Sequence, residues 1–505
     1  MKKYILGALV ALSLSAPVLA ADYYVVVPMP GKVASAPESP DPVENITVTL
    51  NAFTLPAGMV NTPYSFDLNA VLDVQGDAAY DAGSVAWSVV DGATPEGIAL
   101  QADGTLAGTP TVKNQAGASF EVKASYKGKD GQQVYTIVVG GQVLQVTQIA
   151  AGYLHTCAVT TSGAAKCWGY DGNGQLGNDT ATTDQPMPVA VSGLESGVAS
   201  ISAGGAHTCA VTTSGAAKCW GYDYYGQLGN DTATTNQPTP VAVSGLSSGV
   251  ESIAAGDYHT CAVTTSGAAK CWGYDTYGQL GNDTALTNQP MPVAVSGLES
   301  GVASLTAGFA HTCALTTSGA AKCWGRDAEG QLGNDTALTQ QPTPVDVSGL
   351  SSGVASIAAG DYHTCAVTTS GAAKCWGYDA YGQLGDGGSN TNQSTPVDVS
   401  GLSSGVASIS AGDNHTCAVT TSGAAKCWGY DGHGQLGDGG SNTNKSTPVD
   451  VSGLSSGVES ISAGSYHTCA VTTSGAATCW GSDTQGQLGN DTARTQQPTP
   501  VDVAP

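Results

Sequence analysis

The sequence predicts an all-β protein in which a small β-sandwich precedes a seven-bladed β-propeller. Three observations carry this prediction. The 505 residues include 68 glycines and 23 prolines, and such a composition is typical of short strands joined by many turns. Apolar and polar residues alternate in short segments between residues 44 and 140. From about Gln142 onwards, one segment occurs seven times at a constant spacing of 52 residues.

The first twenty residues have the layout of a secretory signal peptide. Lys2 and Lys3 are followed by an apolar run to about Leu14 and then by small residues that end at Ala20, which predicts cleavage after Ala20. The run is shorter than a membrane-spanning helix requires, and no later segment is apolar enough to span a bilayer. We therefore expect an exported bacterial protein, located in the periplasm, on the cell surface or outside the cell.

The net charge of the chain excludes one class of partner. The formal net charge is −24 at pH 7, and it becomes −26 once Lys2 and Lys3 are removed. Such a surface repels phosphate backbones, so we expect no nucleic-acid partner. No motif predicts a cofactor, and we expect a monomer. The proline-rich residues 21–43 are predicted to form a linker.

Residues 44–140 contain the alternation that predicts half-buried strands. It is clearest in three segments: Ile46-Val48-Leu50, Val85-Trp87-Val89 and Phe120-Val122-Ala124-Tyr126. About 95 residues of such strands suit a small β-sandwich. This region has no cysteine, so the apolar core alone must stabilise it.

The same region contains local motifs that place it in a known class. They are Leu55-Pro56-Ala57-Gly58, Pro63-Tyr64-Ser65-Phe66, Pro95-Glu96-Gly97-Ile98 and the segment from Gly104 to Pro110. With these motifs the region resembles the immunoglobulin-like domains of bacterial surface proteins, which are related to cadherin-like folds. The resemblance implies a spacer or adhesive module without enzymatic activity. The calcium-ligand motifs of true cadherins are not found.

Residues 141–505 are predicted to form the propeller. In the second period we predict four strands, Glu195–Ala203, His207–Thr212, Ala216–Gly221 and Pro240–Val243. Four short strands are the unit of a propeller blade. Seven such units can bury their faces against each other and close a ring. Each period carries one histidine at the same place: His155, His207, His259, His311, His363, His415 and His467.

Each period also has two cysteines, ten positions apart, and together they make all 14 in the protein. A three-residue hairpin loop that ends in Gly163 pairs Thr160 with Ala164 and places Cys157 opposite Cys167. Counting outwards from the hydrogen-bonded pair of Thr160 and Ala164 makes the two cysteines a non-hydrogen-bonded pair. In a pair of this kind the Cα atoms approach to about 4.5 Å, a distance that a disulfide tolerates. Because export favours oxidation, we predict one disulfide in each blade: Cys157–Cys167, Cys209–Cys219, Cys261–Cys271, Cys313–Cys323, Cys365–Cys375, Cys417–Cys427 and Cys469–Cys479. Buried free thiols and metal sites are the alternatives.

The repeat resembles a known family through its invariant residues. In the second period these are Ala203-Gly204, His207-Thr208-Cys209-Ala210-Val211, Gly215, Cys219-Trp220-Gly221 and Gly226-Gln227-Leu228-Gly229. The repeat is thereby similar to that of the regulator of chromosome condensation family over about 360 residues. The resemblance implies a seven-bladed propeller, and an offset of the two chain ends would let their strands share a blade. It also implies a rigid disc that presents loops to partners, as in the nucleotide exchange factor that founded the family.

Repeated polar and aromatic residues are interpreted as structural. One histidine per blade favours a hydrogen-bonding role over a metal or proton-relay role, and the extra His433 is expected to face solvent. Asp171–Asp179 has a faint likeness to a calcium loop, but its Asn173 does not recur, which favours a turn. The tryptophan beside the second cysteine, Trp220 in the second period, is expected to pack between blades. The blades are nearly identical where strands are expected, so we predict no catalytic site and no enzymatic activity.

The copies differ mainly in two loops, one after the Ala-Gly pair and one within the segment that ends in Gly-Gln-Leu-Gly. Aromatic residues on rigid loops are typical of protein or glycan recognition. The candidate binding residues are Tyr153, Tyr224, Tyr225, Tyr258, Tyr277, Phe309, Tyr362, Tyr381 and Tyr466. The sequence therefore predicts an exported, non-enzymatic protein that binds a protein or glycan. The alternatives are a structural or adhesive surface component, a guanine-nucleotide exchange factor and a polysaccharide-active enzyme. Neutral drift in the turns is the other explanation of the loop variation.

Overall fold

A computed structural model of the protein describes residues 45–179, 183–231, 235–283, 286–335, 339–388, 390–440, 442–490 and 494–505. These residues form two compact units, one with residues 45–56, 64–108 and 116–138, the other with residues 57–63, 109–115 and 139–505. The predicted signal peptide and linker lie outside the described residues. The predicted domain boundaries, after residues 43 and 140, stay predictions. No helix in the described part of the chain is long and apolar enough to cross a membrane.

The N-terminal strands form an immunoglobulin-like arrangement of small sheets. β1 pairs with β4, β7 lies between β3 and β6, and the third sheet has the order β2-β9-β8-β5. Two 3₁₀ helices, Leu68–Val71 and Ala82–Ser84, connect strands. The strands are β1 (Thr47–Leu50), β2 (Gly58–Met59), β3 (Tyr64–Asp67), β4 (Leu72–Gln75), β5 (Ala86–Gly92), β6 (Ile98–Leu100), β7 (Thr105–Gly108), β8 (Asn114–Tyr126) and β9 (Lys129–Gly140).

The predicted alternation in this region is confirmed in two segments and is wrong in part of the third. The apolar side chains of β8, from Phe120 to Tyr126, are buried, as are Ile46, Val48 and Leu50. Val89, however, is exposed. Val89 lies on β5, the edge strand of its sheet, and directly before a register shift between Val89 and Asp91, where the regular pairing with β8 ends, as at a bulge.

The propeller prediction is confirmed: seven antiparallel four-stranded sheets follow one another along the chain. Blade 1 has β10 (Val146–Ala151), β11 (His155–Thr160), β12 (Ala165–Gly169) and β13 (Gln185–Ala190), and blade 2 has β14 (Val198–Ala203), β15 (His207–Thr212), β16 (Ala217–Gly221) and β17 (Gln237–Ala242). Blade 3 has β18 (Val250–Ala255), β19 (His259–Thr264), β20 (Ala269–Gly273) and β21 (Gln289–Ala294), and blade 4 has β22 (Val302–Ala307), β23 (His311–Thr316), β24 (Ala321–Gly325) and β25 (Gln341–Asp346). Blade 5 has β26 (Val354–Ala359), β27 (His363–Thr368), β28 (Ala373–Gly377) and β29 (Gln393–Asp398), and blade 6 has β30 (Val406–Ala411), β31 (His415–Thr420), β32 (Ala425–Gly429) and β33 (Lys445–Asp450). Blade 7 has β34 (Val458–Ala463), β35 (His467–Thr472), β36 (Ala477–Gly481) and β37 (Gln497–Asp502).

The central hairpin of each blade has the register expected from its turn. In blade 1, the Thr160 amide donates to the Ala164 carbonyl at 2.8 Å, and Gly163 has φ +79°. Cys157 therefore lies opposite Cys167, with a Cα–Cα distance of 4.1 Å, and the two form a disulfide. The six other blades carry the equivalent bond, so all 14 cysteines are paired.

Each disulfide packs into the apolar core between its own blade and the next. Cys157 and Cys167 belong to a buried cluster with Leu176 of blade 1 and with Ile201 and Trp220 of blade 2. The equivalent cluster between blades 7 and 1 contains Cys469, Cys479 and Trp168. Because the clusters lie between blades, each blade depends on its two neighbours for burial.

The ring closes in a way that the sequence analysis did not predict. Strands from the two ends do not share a sheet, since β10 begins blade 1 and β37 completes blade 7. Instead, the Leu144 carbonyl accepts a hydrogen bond from the Ala477 amide at 3.0 Å, and the Leu144 amide donates to the Val503 carbonyl at 2.9 Å. In blade 1, Leu194 makes the equivalent bond to Ala165. The segment before β10 therefore supplies to blade 7 the connecting leucine that the following repeat supplies elsewhere.

Candidate functional site

The repeated histidines lie between neighbouring blades. His155 Nε2 is 2.9 Å from Oγ1 of Thr208 in blade 2, and that hydroxyl donates to the carbonyl of Gln175 at 2.9 Å. Trp220 Nε1 donates to the same carbonyl at 2.9 Å. All seven blade pairs repeat this set of bonds, including blades 7 and 1, where His467 is 2.7 Å from Thr156. We call this histidine, threonine, glutamine and tryptophan set the inter-blade latch.

The latch determines the protonation of each histidine. A threonine hydroxyl has one proton, and Thr208 gives it to the Gln175 carbonyl, so Nε2 of His155 must be the donor of their mutual bond. Nδ1 is then an unprotonated, buried acceptor that has no hydrogen-bond partner among the residues that the structure describes. Burial lowers the pKa of His207, His259, His311, His363, His415 and His467 to about 3, and that of His155 to about 4. Neutral histidines held in this way are structural, as expected.

The segment that resembled a calcium loop forms a turn. Oδ1 of Asp171 accepts the Leu176 amide at 3.0 Å, and burial raises the pKa of Asp171 to about 6. Asp179 has a left-handed backbone with φ +57° and follows the turn. No three His, Cys, Asp or Glu side chains are grouped as metal ligands within the described ranges.

The two variable loops of neighbouring blades meet on one face of the ring. Tyr225 lies in the second loop of blade 2 and Tyr258 in the first loop of blade 3, and their ring centroids are 5.4 Å apart. Contacts of this kind continue without interruption to Tyr153, whose ring centroid is 5.5 Å from that of Tyr466 in blade 7. We call this series the aromatic belt: Tyr153, Tyr222, Tyr224, Tyr225, Tyr258, Tyr274, Tyr277, Phe309, Tyr362, Tyr378, Tyr381, Tyr430, His433 and Tyr466.

All nine candidate binding residues belong to the aromatic belt, but most are less exposed than expected. Tyr224 is 64% and Tyr153 38% exposed, whereas the other seven are partly buried. The reason is that each ring packs edge-on or tilted against a ring of the adjacent loop, as aromatic pairs prefer. His433, expected to face solvent, is also partly buried and lies 5.1 Å from the Tyr466 ring.

Sequence reasoning missed a third contribution to the belt. Tyr222, Tyr274, Tyr378 and Tyr430 directly follow the Cys-Trp-Gly motif and connect the variable loops. Because tyrosine recurs at this position in most blades, it has the pattern of a structural residue rather than of a binding residue. The sequence does contain one sign of a surface role at this position, which is the replacement of tyrosine by Arg326 in blade 4.

Arg326 gives the belt a local asymmetry. Its guanidinium is 5.1 Å from the Tyr362 ring centroid and 5.9 Å from that of Tyr277. It also donates to Glu329 at 2.9 Å. The face of the propeller that carries the aromatic belt, which we call the aromatic face, therefore already holds one cation, in a geometry that is favourable for a cation–π interaction.

A cavity of 610 Å³ opens inside the belt, above the central channel of the ring. Its walls include Tyr153, Tyr258, Phe309, Tyr362 and Tyr466. The channel below has a volume of 150 Å³ and is lined by the Ala-Gly pairs of all seven blades. The residue after each pair therefore faces the channel mouth, and these seven positions hold five residue types: Tyr153, Gly205, Asp257, Phe309, Asp361, Asp413 and Ser465.

Three carboxyl groups lie between the cavity and the channel. Asp257, Asp361 and Asp413 line both spaces. The carboxyl groups of Asp361 and Asp413 are close enough to share a proton, and Ser465 Oγ donates to Asp413 at 2.7 Å. Burial raises the pKa of all three, and mutual repulsion raises those of Asp257 and Asp361 further. The sequence analysis did not select these aspartates as candidate binding residues.

Family models match nearly the whole described chain. The model "RCC1-like domain" matches residues 183–505, "Regulator of chromosome condensation (RCC1) repeat" matches residues 146–175, and "Putative Ig domain" matches residues 46–140. These matches agree with the fold of both units.

Curated relatives and solved structures agree with this assignment. The chain is 34% identical to the ultraviolet-B receptor UVR8 of Arabidopsis thaliana over 354 residues, which are 68% of this chain and 79% of that protein. It is 33% identical to the human E3 ubiquitin-protein ligase HERC2 over 66% of this chain but only 7% of HERC2. Among solved structures, yeast RCC1 (Prp20) bound to Kap60 has a TM-score of 0.60 at 21% identity, covering 72% of this chain and 86% of that one. Prp20p of Saccharomyces cerevisiae has a TM-score of 0.61 at 22% identity, covering 72% and 88%.

Proposed function

The chain belongs to the RCC1-like domain family, and from this premise we propose that it is an exported, non-enzymatic binding protein that recognises a protein or glycan with the aromatic face of its propeller. The immunoglobulin-like region, residues 44–140, would serve as a spacer. The single observation that carries the proposal is the aromatic belt, which places the rings of seven blades on one face.

Rigidity supports recognition as the use of this face. The latch and the disulfide of every blade are made from repeated residues and lie beneath the loops. Side chains that pack against one another lose little further freedom on binding, which lowers the entropic cost of association. Tyrosines combine apolar contact area with a hydroxyl group, and for this reason they are frequent in binding surfaces.

The relatives support a protein as the partner. Yeast RCC1 is described bound to Kap60, and Prp20p is described with its binding to Gsp1p and histones. The name of UVR8, an ultraviolet-B receptor, indicates a role in reception but names no protein partner. The ligase activity in the name of HERC2 belongs to a protein of which the matched segment is 7%, so it gives no reason to assign ligase chemistry to this chain. The near-identity of the blades supports a role without catalysis.

The disulfides support export. Fourteen paired cysteines are stable in an oxidising compartment and are rare in a reducing one. Cell fractionation with an antibody to the propeller, together with N-terminal sequencing, tests this part of the proposal. Recovery of an uncleaved chain in the cytoplasmic fraction would contradict it.

Binding is tested by affinity capture from envelope extracts and on a glycan array with the chain that starts at Ala21. A variant with Tyr258, Tyr277, Tyr362 and Tyr381 changed to serine should lose the partner. The matched control changes Met187 and Met291 to serine. These methionines are each 43% exposed on the outermost strands β13 and β21. Equal capture by all three proteins would contradict recognition by the aromatic face.

The other candidate functions have distinct outcomes in the same experiments. A structural or adhesive component predicts no saturable partner and tolerance of the tyrosine substitutions. An exchange factor predicts faster nucleotide release from a small GTPase. A polysaccharide-active enzyme predicts turnover that one substitution in one blade abolishes.

A further inference from the structure

We propose that the channel mouth receives one basic side chain, a lysine or arginine, of the protein partner. This inference rests on the proposed function and specifies the chemistry of its central contact. The site consists of the carboxyl groups of Asp257, Asp361 and Asp413 and the rings of Tyr258 and Tyr362 around them.

Charge complementarity is the first argument. In the described part of the chain, none of the three carboxyl groups forms an ion pair with a lysine or arginine. Arg326, on the same face, is paired with Glu329 instead. As a fully ionised set, three neighbouring acids without a cation are unfavourable in a partly buried site, because each charge repels the others, and the raised pKa values of Asp257 and Asp361 mean that protons are held there instead. A ligand ammonium or guanidinium group would take the place of these protons as the positive partner of the carboxylates.

The aromatic walls are the second argument. Tyr258, Phe309 and Tyr362 surround the acids, and ring faces attract cations when water is excluded. The stacking of Arg326 on Tyr362, 5.1 Å from its centroid, is an example of this chemistry on the same wall. A neutral donor could form a hydrogen bond with the carboxyl groups, as Ser465 does with Asp413, but only a cation would compensate their charge as well as contact the rings.

The dimensions of the two spaces favour a side chain that projects from a larger partner. The channel, at 150 Å³, has room for about five water molecules at about 30 Å³ each, which suits the end of one flexible side chain. The wider cavity of 610 Å³ above it can take the neighbouring parts of the partner's surface. A peptide-borne cation would use both spaces, whereas a free amine would use only the lower one.

Departure from the repeat supports a ligand role for these acids. The Ala-Gly pair before them and the His-Thr-Cys segment after them occur in every blade, yet aspartate occupies this position only in blades 3, 5 and 6. Blades with tyrosine, glycine, phenylalanine or serine there fold in the same way. The aspartates are therefore not required by the propeller.

The test is calorimetric titration with acetyl-Gly-Lys-Gly-amide and with the same peptide acetylated on the lysine Nζ. We expect the lysine peptide to bind saturably and the acetylated peptide to bind about tenfold more weakly, because acetylation removes the charge but keeps the stem. Changing Asp257, Asp361 and Asp413 to asparagine should weaken the lysine peptide by about tenfold or more. Changing Tyr362 to leucine should weaken it less, because the acids remain.

A matched triple variant controls for net charge. Asp346, Asp398 and Asp450 are between 71% and 77% exposed on the outer strands, and their change to asparagine removes the same formal charge. We expect this variant to keep the peptide affinity within about twofold, since exposed charges at a distance are screened. Circular dichroism of each variant verifies that the propeller is folded.

Several results would overturn the inference. They are equal affinity for the charged and acetylated peptides, unchanged affinity in the Asp257, Asp361 and Asp413 variant, or no saturable binding of the lysine peptide. Binding of 1,5-diaminopentane at least as tight as that of the lysine peptide would overturn it in favour of a free amine ligand. A partner that is captured by the aromatic face and retained by the triple asparagine variant would leave the proposed function intact and refute only the basic side chain.

Discussion

The latch makes a quantitative prediction for Gly177, which follows the Gln-Leu pair of blade 1. Gly177 has φ +70°, and a Cβ there would lie 2.7 Å from Trp220 Nε1 and 2.9 Å from Val191 Cγ1. Gly193 also has φ +70°, but a Cβ there would have no atom within 4 Å. Gly177→Ala and Gly193→Ala therefore carry the same backbone strain and differ in the clash with Trp220.

The expected free energies of unfolding follow from this difference. A left-handed alanine costs about 1–2 kcal/mol, and both variants lose this amount. At Gly177 the tryptophan must also move, which adds about 1–3 kcal/mol for overpacking and about 1 kcal/mol for the bond from Trp220 Nε1 to Gln175. We expect Gly177→Ala to be less stable than Gly193→Ala by roughly 2–4 kcal/mol.

The measurement is equilibrium unfolding in guanidinium chloride with the disulfides intact, followed by tryptophan fluorescence. Equal midpoints for the two variants would refute the reasoning, because they would mean that the indole is not held against the turn. A change in slope as well as midpoint would show that one blade interface opens before the rest of the ring.

Three further predictions concern the same framework. Thr208→Val should lower the free energy of unfolding by about 2–4 kcal/mol in the same assay, because it leaves His155 Nε2 as a buried donor without its acceptor. The control Thr213→Val, at an exposed threonine, should change this free energy little. Similar losses for both variants would contradict the latch. Stability should not fall between pH 6 and 4, and it should fall steeply below about pH 4. The seven latch histidines have lowered pKa values, so they destabilise the folded state progressively as pH falls from 6.5 towards 3. The seven turn aspartates, with pKa values raised to about 6, and the three channel aspartates, whose pKa values are also raised, favour the folded state increasingly as pH falls to 3.8, so they offset the histidines only above that pH. A steep loss already between pH 6 and 5 in a pH series of thermal melts would contradict this balance. Treatment with a reductant and iodoacetamide should label no cysteine until denaturant is added, because all 14 cysteines are fully buried. Mass spectrometry measures the labelling. Labelled cysteines in the native sample would mean that the disulfides are accessible or absent.

Much of the propeller was predictable because local rules determine it. A hairpin loop of fixed length sets which residues face each other, so the Cys157–Cys167 pairing followed from counting outwards from the turn. The period of 52 residues and its four strands then gave the blade. These inferences need only the residues within one repeat.

Features that depend on contacts between repeats were not predictable in the same way. The closing role of Leu144 requires knowledge of which carbonyl it meets in blade 7. The partial burial of Tyr258 or Tyr362 depends on rings from the adjacent blades. Similarly, Asp361 and Asp413 are 52 residues apart in the chain, and only the packing of blade 5 against blade 6 brings their carboxyl groups together.

The repeated latch residues and the variable residues at the channel mouth occupy different positions of the blade, and this explains how one chain combines strict repetition with a specific site. Every bond of the latch uses positions that recur in all seven blades, and the glycine of each Ala-Gly pair is joined to the latch histidine of its blade, as the Gly152 amide is to the His155 carbonyl. The residue after each pair is then carried by a backbone that is already fixed, so aspartate, tyrosine or serine can occupy it without a change of fold. Seven such positions converge on one small opening, and a ring of nearly equal blades thereby presents five residue types, aspartate three times among them, to a single ligand group.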